Sequence, residues 1–223
     1  MTDDPLILAF DTSAAHCAAA LLRGPQILAQ RQEDMAKGQA ERLIPLLEEI
    51  LAEGGASFGA LSALAVGIGP GNFTGIRISV SAARGLALGL EVPAIGVSSL
   101  DAQAFGTDGL VVSSLDARRE GLYVQVISSA APASAPCHCT LDTLPADLPT
   151  TGAAPRCIGH RADEIAARCG GTVTAARYPV AEAIARVAAS RIGRTDLPPP
   201  APLYLRPADA APSRDQPPVL LDD

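Results

Sequence analysis

The chain reads as an α/β protein with mixed sheets in two halves, and three observations carry that reading. Short apolar runs closed by turn residues alternate with longer segments of helical periodicity. A Gly-rich stretch, Ala65 to Leu90, joins one such run to a long helix. A strand ending in Asp and turning into a second strand occurs twice, near the start and again past Gly109, as a weak internal repeat. At 223 residues the chain exceeds a typical domain of roughly 100 to 200 residues, so two subdomains are expected. They are placed at 1–106 and 107–206, the second a degenerate copy of the first. The remainder, 207–223, holds four Pro and four Asp and is expected to be disordered.

Leu6 to Phe10 is a continuous apolar run closed by Asp11, Thr12 and Ser13, a buried strand entering a polar turn. Cys17 to Leu22 and Gln26 to Gln32 follow, split by Gly24-Pro25, and complete an antiparallel meander. From Gln39 to Ala52 the residues Leu43, Ile44, Leu47, Ile50 and Leu51 keep helical spacing, with Pro45 either kinking the helix or sitting in its first turn. Leu64 to Ile68 is a strand, GPGNFTG a turn, and about Gly75 to Leu90 a helix stopped by Glu91-Val92-Pro93 ahead of a strand at Ala94 to Val97. In the second half, Leu110 to Leu115 and Gly121 to Ile127 are strands linked by a charged turn. Ala130 to Pro155 reads as loops and irregular strands, and Ala162 to Arg168 and Val180 to Ile192 as helices.

Composition excludes several functions. The apolar 48% leans on small aliphatics, with no Trp and only four Phe and three Tyr, so the core is aliphatic and base-stacking platforms are scarce. A net charge of −7 repels phosphate backbones and anionic membranes, which speaks against unaided tRNA or membrane binding. The start MTDDPLILAF has no basic n-region and its apolar run stops at Asp11, so a cytoplasmic protein is expected. There the five cysteines would be reduced thiols, their odd count also arguing against a disulfide framework.

The densest cluster of special residues is Gly67 to Gly89. Glycines after a strand and before a helix N-terminus can cradle a phosphate. A Rossmann fingerprint would need Gly where Asn72 stands, however, and a P-loop would need Lys and Ser or Thr where Ile76 and Arg77 stand. The other reading is a tight turn for close packing, with a stripe of Arg77, Ser81, Arg84, Gly85 and Leu88 forming an interface. Asp11 and Asp116 hold matching positions in the two hairpins and could face a cleft between the halves. Cys137, His138, Cys139, Cys157 and His160 could be combined into a zinc set, but Cys-x-Cys is tighter than usual and thiols packed as small hydrophobes are the plainer reading. His16 lacks a partner at helical spacing and reads as structural. There is no G-x-S-x-G elbow, and no H-E-x-x-H or H-x-x-x-H pair.

The segments ILAFDTS (Ile7 to Ser13), GPGNFTGIRIS (Gly69 to Ser79), ARGLA (Ala83 to Ala87), LDARREGLY (Leu115 to Tyr123) and PLYLR (Pro202 to Arg206) together resemble the TsaB family, also described as glycoprotease-like. The resemblance spans nearly the whole chain. It implies an actin-like (ASKHA, ribonuclease H-like) fold in two halves and a part in making N6-threonylcarbamoyladenosine in tRNAs that read ANN codons. In that system the paralogue TsaD carries the metal and the transfer chemistry, TsaE is an ATPase, and TsaB is a non-catalytic partner that binds no cofactor of its own and meets tRNA through the complex. Members pair, with themselves as a homodimer or with TsaD, through two N-terminal helices. The partner residues implied here are Leu43, Leu47 and Ile50 on the first and Arg77, Ser81, Arg84, Gly85 and Leu88 on the second. Two positions depart from the common pattern, Asn72 in place of Ser and Gln39 in place of His, and the second half lacks a clear GGx adenosine loop. An ATP-dependent phosphotransferase using Asp11 and Asp116 is the alternative.

Overall fold

Both faces of the first sheet are covered at its centre, which is why its central strands read as unbroken apolar runs. In the computed structural model, which describes residues 4–128, 133–145, 148, 154–194 and 196–206, strands β1 (Leu6–Asp11), β2 (His16–Arg23) and β3 (Gln26–Asp34) form the antiparallel meander. β4 (Ala63–Gly67) joins β1 in parallel and β5 (Ala94–Val97) joins β4, giving the order β3-β2-β1-β4-β5. Helices α1 (Gln39–Glu53) and α2 (Phe73–Leu90) lie side by side on one face. Leu6, Leu8, Phe10, Cys17, Ala19 and Leu21 point to them, and the intervening Ile7, Ala9 and Leu22 point the other way. Pro45 lies inside α1 rather than in its first turn, on the exposed side, and has no N–H to offer the Glu41 carbonyl.

The second sheet repeats the first. β6 (Leu110–Asp116), β7 (Leu122–Ser128), β8 (Cys137–Cys139), β9 (Arg156–Gly159) and β10 (Thr172–Val173) run in the order β10-β9-β6-β7-β8, with antiparallel and parallel pairings in matching places. Asp116 therefore ends β6 as Asp11 ends β1. Helix α4 (Ala162–Cys169) stands where α2 does, but no α-helix corresponds to α1 among the described residues. The expected helix at 162–168 and strands at 110–115 and 121–127 are present. The two short strands β9 and β10 and helix α3 (Ser99–Ala104) were not expected from the sequence. The reading of 207–223 as a disordered tail lies outside the described residues.

The helices that close each half are exchanged. α5 (Val180–Ala189), from the second half of the chain, packs on the far face of the first sheet, where Ala183, Ile184, Val187 and Ala188 meet Ile7, Ala9, Ala63, Ala65 and Val97. Ala18 and Ala20 of β2 let it approach closely at Ala181. α3 turns to the second sheet: Leu100 packs with Ala117 and Tyr123, and Ala104 with Val111 and Ile158. Its start is set by Ser98, whose hydroxyl accepts from Leu100 N–H at 3.2 Å. A cleft of about 1040 Å³ opens between the halves, lined by the ends of β1, β2 and β6, the loop into α2, α3 and the segment Leu203 to Arg206.

Four of the five cysteines sit in or against the core of the second half, while Cys17 lies in the first. Burial pushes the Cys139 and Cys157 thiols up to about 12 and the Cys17 thiol up to about 11. Each folded value lies above the unfolded one near 9, so the folded chain keeps protons that the unfolded chain releases. Stability from these thiols is therefore whole below pH 9 and lost as pH rises toward 12. Thermal denaturation is expected to show a level melting temperature from pH 7 to 8.5 and a steady fall from pH 9 to 11. A level profile across pH 9 to 11 would contradict this.

Candidate functional site

The turn after β1 and the loop into α2 are laced together by backbone, and the glycines of the loop exist to permit it. Ser13 carbonyl accepts from Asn72 N–H at 2.6 Å, and the Thr12 hydroxyl donates to the Gly75 carbonyl at 2.6 Å. A Cβ at Gly71 would strike the Ser13 carbonyl, one at Gly75 the Thr12 carbonyl, and one at Gly67 the Asp11 carboxylate. The tight-packing reading of this segment is thus the one the structure takes. Asn72 caps α2, its Oδ1 accepting from Thr74 N–H at 3.0 Å and Gly75 N–H at 3.1 Å, so two of the first-turn amides are already engaged. Asn72 does by carboxamide what Ser does by hydroxyl at a helix N-cap. Replacing it by Ala is expected to cost about 1 kcal/mol, read as a melting temperature lower by roughly 2–4 °C.

Asp11 is wholly buried at the base of the cleft. Its Oδ2 accepts from Ser13 N–H at 3.1 Å, from Ser13 Oγ at 2.9 Å and meets His16 Nε2 at 2.7 Å, while Oδ1 has no partner among the described residues and faces Gly67. His16, for which helical spacing offers no partner, is therefore a hydrogen-bond partner of this carboxylate. The signal was present in the spacing: Asp11 closes β1 and His16 opens β2, so a hairpin turn brings them together. Asp116 is different. It is largely exposed, its Oδ1 accepts from Arg118 N–H at 2.7 Å, and His160 Nε2 lies 3.9 Å away. Arg118, Arg119 and Glu120 then take left-handed backbone at φ 61°, 49° and 63°.

The residues weighed for zinc are not gathered. His138 stacks near Tyr123 with ring centroids 5.6 Å apart, His160 turns to Asp116, and Cys157 pairs with Cys169. Among the described residues no group of three or more His, Cys, Asp or Glu converges on one point.

The partner residues implied for the two helices separate in the structure. Leu43, Leu47 and Ile50 are 0–1% exposed and form the core under α1, so they cannot meet a partner; the apolar stripe of α1 faces its own sheet. Arg77, Ser81, Arg84, Gly85 and Leu88 do share the outward face of α2, with Leu88 83% exposed and open space beside Gly85 and Gly89. Ile44 of α1, 39% exposed, was not among the partner residues named from the sequence. Arg77 is held by its own chain: the guanidinium carbon lies 3.8 Å from the Phe73 ring centre, and Nε donates to Tyr204 OH at 2.8 Å. Among the described residues, no helix is long and apolar enough to cross a membrane.

Comparison with known proteins completes the picture. Residues 27–144 match the family model described as TsaD: tRNA N6-adenosine threonylcarbamoyltransferase. The tRNA threonylcarbamoyladenosine biosynthesis protein TsaB of Escherichia coli is 40% identical over 122 residues, 52% of each chain, and that of Bacillus subtilis 37% identical over 120 residues, again 52% of each. The chain thus spans about half the length of the curated relatives it matches. A solved structure from Pseudomonas aeruginosa, described as an uncharacterized protein with similarity to peptidase YEAZ, superposes with a TM-score of 0.77 at 26% identity, covering 91% of this chain and all of the other. The duplicated sheet order is that of the actin-like fold in two halves. A family match over more than half of the residues, TsaB relatives and a structural likeness over nearly the whole length agree that the chain belongs to the TsaB family.

Proposed function

We propose that the chain is a non-catalytic accessory subunit in the synthesis of N6-threonylcarbamoyladenosine in ANN-decoding tRNAs. It docks on a TsaD-type paralogue and works with a TsaE-type ATPase in the cytoplasm. The observation that carries this reading is the outward face of α2, where Leu88 stands 83% exposed between two glycines that leave room for another helix. Arg77, Ser81, Arg84 and Gly85 belong to that docking face, and Ile44 replaces the buried leucines of α1. In the absence of the paralogue the same face serves a homodimer. With a net charge of −7 the chain meets tRNA only through the complex. The spans 1–106 and 107–206 are read as its two halves. The purified chain mixed with its genome's TsaD-type protein is expected to co-elute in size exclusion, with or without the TsaE-type ATPase and ATP. Separate elution under every condition rejects the proposal.

A second reading rests on the cleft of about 1040 Å³, lined by both Asp11 and Asp116: an ATP-dependent phosphotransferase. Against it, Asp11 Oδ2 is already engaged by Ser13 and His16, and the Thr74 and Gly75 amides of α2 are taken by Asn72. Calorimetry with ATP and Mg²⁺ at millimolar concentration separates the two, since heat of binding is expected only for the phosphotransferase.

A further inference from the structure

Cys157 and Cys169 hold their sulfurs 3.8 Å apart in the core of the second half, at 0% and 6% exposure. Cys157 lies in the middle of β9, and Cys169 is the last residue of α4, the helix that follows it. The chain around them keeps the space between the sulfurs clear. Gly170 closes α4 in left-handed backbone at φ 66°, and a Cβ at Gly171 would lie 3.0 Å from one sulfur and 3.2 Å from the other. Both thiols belong to the apolar cluster that includes Val112, Ile165 and Ala166, and the Cys169 thiol also reaches the Ala166 carbonyl at 3.9 Å. A disulfide has its sulfurs about 2.0 Å apart, so closure needs a movement of under about 2 Å at the tip of two side chains.

We propose that Cys157 and Cys169 are a modification site, closed to an intramolecular disulfide by a peroxide. The Cys169 thiol, the more exposed, reacts first: it loses its proton, its sulfur attacks one peroxide oxygen, the O–O bond breaks, and water leaves a sulfenic acid on Cys169. The Cys157 sulfur then attacks that sulfur. The S–S bond forms, the S–OH bond breaks, and the departing hydroxide takes the Cys157 proton as a second water. Two thiols lose two electrons and hydrogen peroxide gains them. Burial keeps the Cys157 thiol at about 12, so it is a poor starting nucleophile and suits the resolving role.

Cys137 and Cys139 are the competing pair, close enough for a thiol hydrogen bond. They sit two residues apart on β8, where extended backbone separates their Cα atoms by about 6.8 Å, at the upper limit for a disulfide. The pair across β9 and α4 carries no such restraint.

The full chain is treated with hydrogen peroxide, quenched with catalase, alkylated and digested with trypsin without reductant. Cleavage at Arg156, Arg161, Arg168 and Arg177 isolates peptides 157–161 and 169–177, each with one cysteine. The expected result is these two peptides joined, with three thiols alkylated instead of five, full reversal by dithiothreitol, and a melting temperature about 5 °C higher in the oxidised form. The link is absent in Cys169→Ala. Five alkylated thiols, oxygen added to separate cysteines, or a Cys137 to Cys139 link in its place overturns the proposal. Because the unsubstituted chain decides the question, a variant that fails to fold does not protect it.

Discussion

Leu88→Glu is expected to abolish co-elution with the TsaD-type paralogue while leaving the chain's own melting temperature unchanged. The side chain is 83% exposed and contributes almost nothing to the core, so surface substitution should move stability by less than about 0.5 kcal/mol. Seated between helices it would become an anchor, and losing an anchor while burying a charge costs about 2 kcal/mol or more, a weakening of about 30-fold or greater. The matched control is Leu47→Ala. Leu47 is wholly buried beneath α1, and its truncation should destabilise the chain by about 2–5 kcal/mol. Equal binding by Leu88→Glu and the unsubstituted chain would show that α2 is not the docking helix.

Two glycines of the same helix are expected to respond with opposite signs. Gly75→Ala drives a Cβ into the Thr12 carbonyl, backbone that cannot swing aside. The α2 turn must then part from the β1 hairpin, at a cost of about 1–3 kcal/mol or more, or roughly 2–12 °C. Gly85→Ala adds a Cβ in open space and removes backbone freedom from the unfolded chain, a gain of about 0.5–1 kcal/mol. Thermal melts of the two variants check both signs. If Gly75→Ala melts with the unsubstituted chain, the lacing of the two loops is not as described.

The halves differed in how far they could be read from sequence. β1, β2, α1 and α2 have runs long enough to show their period, and the twin Asp endings exposed the repeat. α3, β9 and β10 are six, four and two residues long, too short for periodicity to register. Leu43, Leu47 and Ile50 show a different limit. Helical spacing marks an apolar face but not what covers it, and here the cover is the chain's own sheet. Pairing across a turn, as in Asp11 with His16, and pairing across a βα unit, as in Cys157 with Cys169, depend on the third dimension. Asn72 escaped for a smaller reason. It breaks the phosphate-binding motifs in the sequence, and its work is to cap.

The exchanged closing helices also set an order of events during synthesis. The first sheet is complete once Val97 has emerged, yet Ile7, Ala9, Leu22, Ala63, Ala65 and Ile95 stay bare on one side until α5 arrives at Ala189. That is about 90 residues later, roughly 5–20 s at ribosomal rates. For that interval the nascent chain presents an apolar β-surface to solvent, the kind of surface that chaperones bind.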